Sequence, residues 1–146
     1  MAGNRPVGKK KMFTPEQANA ALPLVKVIVQ DISNLARSLR DRQERITRLD
    51  GGKRGGLADA YREELQQVQT EMERDDERMQ EYLRELTDLG IELKDPFSGL
   101  IDFPAWMSGH EVYLCWRLGE SEVAHWHELD AGFAGRQKLK LPVPSN

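Results

Sequence analysis

At 146 residues the chain suits one domain, with 39% hydrophobic and 31% charged residues and a net charge of -3. That balance fits long, half-exposed helices and excludes a uniformly basic nucleic-acid binder. A single cysteine, Cys115, excludes an internal disulfide, and no apolar run reaches the ~18 residues of a membrane span, so a reducing, cytoplasmic home is expected.

Residues 1–12 read as a disordered basic arm and residues 13–146 as a single domain. No signal-type apolar stretch follows the arm, so export is not expected. Charge is uneven along the chain. Met1 to Gly56 holds 12 bases and 5 acids, net +7, whereas Leu57 to Asn146 holds 9 bases and 19 acids, net -10. The plain consequence is attraction between the two parts within the fold; the alternative is a basic patch for an anionic partner.

The first helix spans 13–50. Thr14 is placed to cap it, Pro15 takes the first helical position, and Gln17 closes a capping box. Pro23 lacks a donor and crowds the preceding turn, which predicts a kink or restart near Ala20 to Leu22. Apolar residues then step by three and four through Leu22, Val25, Val29, Ile32, Ala36, Leu39 and Ile46, a heptad-like stripe. The glycines of GGKRGG end it in a flexible tip. That tip has neither the preceding strand nor the Gly-Lys-Ser/Thr of a phosphate loop.

The second helix spans 57–89. Its stripe includes Tyr61, Leu65, Val68, Met72, Met79, Leu83 and Leu86. Asp75 falls where an apolar residue is due and is expected to face Asn34, Arg37 or water. Gly90 suits the residue after the helix. A short tip forces the two helices antiparallel, and 11 acids against 4 bases in the second helix complement 6 bases against 4 acids between Thr14 and Leu49 of the first.

After Gly90 the period changes to two. IELKDPFSG is a short extended piece and a turn. Residues 100–128 read as a three-stranded antiparallel meander, with a hairpin turn at Ser108 and Gly109. Residues 129–146 read as an irregular tail. The fold class is therefore α+β: a long antiparallel, coiled-coil-like helical hairpin packed with a small β-meander. Ile101, Phe103, Ala105, Val112, Leu114, Trp116 and Leu118 form the face that packs on the helices.

The same register pairs Asp102 with Cys115. Burial of Trp126 puts His125 and His127 on the opposite face, and a three-residue turn sets His125 beside Cys115. Asp102, Cys115 and His125 would then run straight across three strands. With His127 and Asp130 they form a candidate site for zinc or iron. Arg136 and Arg117 are candidate anion or ligand contacts. The plain alternative is a solvent-facing sheet surface, with Arg136 paired to the acidic second helix. No esterase, zinc-protease or di-iron template is present, so an enzymatic activity is neither assigned nor excluded.

The opening FTPEQANAALPLV and the ending GLIDFPA…GHEVYLCWRLGESEVAHWHELDAGFAGRQ resemble a family of small bacterial proteins known only as domain of unknown function 2203. The resemblance covers Phe13 to Gln137. It implies a bacterial cytosolic protein and carries no activity. It marks Trp126 and His127 as typical of the family, which makes His127 the stronger ligand candidate and His125 the weaker. Asp102, Arg117, Asp130, Gly132, Gly135 and Arg136 lie within the matching stretches.

Three functions follow as expectations. The first is a non-catalytic interaction module that self-associates as a homodimer through the helical hairpin. The second is a metal- or small-ligand-binding protein built on the sheet face. The third and weakest is nucleic-acid contact through RPVGKKK and GGKRGG.

Overall fold

A computed structural model describes residues 10–52 and 58–140. Most of the basic arm and the Lys53–Arg54 tip lie outside the described residues. The elements are α1 (Pro15–Gly52), α2 (Ala58–Leu89), β1 (Glu92–Asp95), β2 (Leu100–Met107), β3 (His110–Arg117), β4 (His125–Glu128) and β5 (Gln137–Lys138).

Helix α1 begins with the expected reciprocal cap. Gln17 N–H donates to Thr14 Oγ1 and Thr14 N–H donates to Gln17 Oε1, each at 3.0 Å. The helix runs through Pro23 without the expected restart. Pro23 leaves the Asn19 carbonyl without its usual helical donor. The Asn19 side chain binds a neighbouring segment at the same turn: it accepts from Val123 N–H at 2.7 Å and donates to the Val123 carbonyl at 3.1 Å. Helix α2 ends in a Schellman turn. Gly90 has φ 86°, its N–H donates to the Thr87 carbonyl, and Ile91 N–H donates to that of Leu86.

The two helices pack along their apolar stripes. Asp75, the break in the second stripe, is buried and is held by Arg42 and Arg78, while Asn34 lines the same small pocket and Arg37 donates to the Phe97 carbonyl. A buried carboxylate is tolerated because two guanidinium groups meet it.

The sheet is antiparallel in the order β1-β2-β3-β4-β5 and has five strands, not three. The IELKD segment pairs with β2 as an extra edge strand. Two residues of the tail, Gln137 and Lys138, pair with Trp126 and His125 and cover the far edge. Ser108 and Gly109 turn the central hairpin with φ of 53° and 85°, the pattern of a two-residue turn matched to strand twist. Phe103 pairs with Leu114 and Asp102 with Cys115, as the two-residue turn requires.

One sheet face packs on α1. Ile101, Phe103, Ala105, Val112, Leu114 and Trp116 join Val25, Val29 and Ile32 in one core, and Leu118 is only partly buried at its edge. Phe13 extends that core: its ring meets Phe103 edge-on at 5.2 Å, and its N–H donates to the Pro104 carbonyl. Among the described residues no helix is long and apolar enough to cross a membrane.

Candidate functional site

The opposite sheet face carries the polar residues. Register lines up Glu92, Asp102, Cys115 and His125 across β1 to β4, and Tyr113 pairs with His127 in the next row. Period-two alternation therefore puts His127 on the face of Asp102 and Cys115, one diagonal step away. This face is not a solvent-facing surface at its centre. Asp102, Cys115 and His127 are 2%, 0% and 2% exposed.

The three side chains converge. A carboxylate oxygen of Asp102, the thiol sulfur of Cys115 and a ring nitrogen of His127 all lie within 4.8 Å of one another. His127 Nδ1 is 2.7 Å from the Glu128 carbonyl oxygen. That oxygen can only accept, so Nδ1 carries a proton. Nε2 lies 3.1 Å from both oxygens of Asp102, which requires a second proton between the two side chains. The pair is thus neutral overall, either as imidazolium with carboxylate or as imidazole with carboxylic acid. A sealed environment requires such neutrality.

Burial pushes the Asp102 carboxyl above its usual range, and His127 and the Cys115 thiol draw it partly back. The Cys115 thiol donates to Asp102. Burial first, and the Asp102 charge second, push that thiol up to about 12. At neutral pH Cys115 is therefore a protonated thiol sealed from solvent, and it is unsuited to nucleophilic catalysis.

The surroundings hold the cluster in place. Tyr113 stacks at a tilt on His127, with ring centroids 5.5 Å apart, and donates its hydroxyl to both oxygens of Glu92 at 2.9 and 3.0 Å. Burial and the Glu92 hydrogen bond raise the Tyr113 phenol to about 12. Burial acts to raise Glu92, but bonds from Lys94 and Tyr113 outweigh it and hold Glu92 below its usual range. Lys94 also lies over the Tyr113 ring.

Arg136 and His125 sit beside the cluster, not within it. Arg136 makes a two-pronged pair with Glu120, with Nη1 and Nη2 each 2.8 Å from a carboxylate oxygen. Its partner is this turn residue, not the acidic helix. Arg136 Nη2 also donates to His125 Nδ1 at 3.0 Å. Arginine can only donate, so His125 Nδ1 is an acceptor committed to Arg136, and the neutral ring carries its proton on Nε2. Arg117 and Arg136 both lie over the Phe133 ring, at 4.8 and 4.6 Å from its centroid. Arg117 is exposed, and Asp130 is exposed in the turn after β4. The structure thus brings together Asp102, Cys115 and His127 of the expected set and leaves His125, Asp130, Arg117 and Arg136 outside the cluster.

Sequence reasoning missed Glu92, Glu120 and the Glu128 carbonyl. Glu92 had a signal, because IELKD alternates and its glutamate falls opposite Asp102 once β1 pairs with β2. A main-chain acceptor leaves no trace in residue type.

The family model of an uncharacterized conserved protein, DUF2203, matches residues 11–139. No curated protein and no solved structure matches the chain.

Proposed function

We propose, for a chain that belongs to this family of uncharacterized conserved proteins, that it is a metal-binding protein whose Asp102, Cys115 and His127 hold one divalent ion of the zinc type. One observation carries the reading: three ligand atoms of three different kinds converge on the sheet where all three residues are buried. The donor chemistry fits. Thiolate, imidazole and carboxylate together suit a borderline ion such as zinc or ferrous iron. One thiolate and one carboxylate also balance a dication, so the loaded site would be neutral. The Glu128 carbonyl acts on His127 Nδ1 as the outer partner that fixes a metal-binding histidine and leaves Nε2 for the ion.

The reading is of an ion that is held, not of a catalyst. Three protein ligands leave one position open, but the ligand side chains are at most 3% exposed, which gives a substrate no approach. The ion would tie β2, β3 and β4 together. Cobalt substitution tests this. Cobalt(II) added to the metal-free protein should give a thiolate-to-cobalt absorption band in the near ultraviolet. Cys115→Ser should lose the band, and His127→Ala should weaken binding by roughly 100-fold or more. An unchanged spectrum in Cys115→Ser would reject the site.

A further inference from the structure

A separate surface lies between the helices, remote from the sheet cluster. A groove of about 520 Å³ opens along one side of the hairpin. Leu39, Met72, Met79 and Phe97 line its floor. Phe97 is held in place from behind, because its carbonyl accepts from Ser33 Oγ at 2.9 Å and from Arg37 Nη2 at 3.0 Å.

The two walls of the groove carry opposite charges. Arg40 stands on the α1 wall, and Glu73 and Asp76 stand on the α2 wall. Among the described residues none of these three makes an ion pair within the chain. Arg40 lies over the Phe97 ring at 4.5 Å and keeps its guanidinium at the rim. By contrast, Arg42 and Arg45 pair across to α2 through Asp75 and Glu64. Arg40, Glu73 and Asp76 are therefore charges that flank an apolar floor with no ionic partner among the described residues.

We infer that this groove is the interface with a second copy of the chain. A two-fold axis parallel to the helices lays α1 of one copy over α2 of the other. Arg40 of each copy then meets Glu73 and Asp76 of its mate, twice over, and the apolar floors close on each other. An isologous interface needs such a self-complementary surface: one patch with both signs placed on either side of the axis. Two hairpins packed this way form a four-helix arrangement, which covers the part of each apolar stripe that a two-helix layer leaves open. A surface patterned for a foreign acidic or basic helix would carry one sign along both walls.

The test is mass in solution, by sedimentation equilibrium on the full chain, for three proteins. The wild type should weigh twice 16.7 kDa. Arg40→Glu sets like charges against each other across the axis and should raise the dissociation constant roughly tenfold or more. The triple variant Arg40→Glu, Glu73→Arg, Asp76→Arg restores the complement with the signs exchanged and should restore the dimer. Unchanged helical circular dichroism in each variant separates loss of association from loss of fold. A wild type that stays monomeric at every concentration overturns the inference. So does a dimer indifferent to Arg40→Glu, or a folded triple variant that fails to regain the dimer. None of these readouts depends on metal, so the two proposals fail separately.

Discussion

His127 Nε2 is 3.1 Å from both oxygens of the Asp102 carboxylate, while its Nδ1 is committed to the Glu128 carbonyl at 2.7 Å. The ring is therefore fixed in position by two partners on different strands, and its Nδ1 carries a proton. Asp102 comes from β2 and His127 from β4, with Cys115 of β3 between them.

His127→Ala leaves the Asp102 carboxyl buried with only the Cys115 thiol to meet it. Removal of one partner of a buried pair costs roughly 3–5 kcal/mol. Urea unfolding in the presence of chelator should show a loss of that size. A loss below roughly 1 kcal/mol would mean that the pair is not sealed as described.

The Cys115 thiol is raised from 9.0 to about 12 and the Tyr113 phenol from 10.0 to about 12. Both protonated forms are favoured by the fold. Their contribution is therefore fully present below pH 9.0 and is lost as pH rises toward about 12. Metal-free protein should lose stability steeply above that lower limit, and Cys115→Ala should flatten the fall. Equal slopes for the two proteins would contradict the burial of the thiol. Glu120 has the opposite sign. Burial acts to raise it, but the Arg136 bond and the Arg117 main chain outweigh that and hold it below its usual 4.5. Its contribution is present above that value and fades as pH falls through its lowered pKa.

Gly99 lies in the turn between β1 and β2, close against Leu118 and against Val29 of α1. It has φ 69°, and a Cβ there would lie 2.7 Å from Leu118 Cβ and 3.0 Å from Val29 Cγ1. Gly109 also has positive φ, but a Cβ there meets nothing within 4 Å. Both alanine substitutions incur the left-handed backbone penalty, and only Gly99→Ala adds overpacking, which costs roughly 1–3 kcal/mol. Thermal melts of the two variants should separate by that difference. Equal melting temperatures would contradict the close contact.

The parts of the fold that were legible in the sequence rest on strong local rules. The capping box at Thr14 and Gln17, the Schellman glycine at Gly90 and the turn at Ser108 and Gly109 each follow from one or two residues. That last turn then sets the Asp102–Cys115 register, and the bulk of Trp126 helps to choose the face for His127. What covers the second face was not legible. The segment from Phe133 to Lys138 has no period, yet it supplies Arg136 and the edge strand. Pro23 predicted a kink or restart; the helix continues without a restart, and the turn around Pro23 is anchored by Asn19 to Val123, more than 100 residues on. Such a long-range bond is invisible to periodicity.

The measurement that tests the metal site most directly is elemental analysis of the untagged protein, purified without chelator and then equilibrated with zinc and desalted. The wild type should retain one zinc per chain, and His127→Ala and Cys115→Ser should each lose it. A wild type that retains no zinc, iron or manganese under these conditions would contradict the metal site and leave Asp102, Cys115 and His127 as a buried polar network of the sheet.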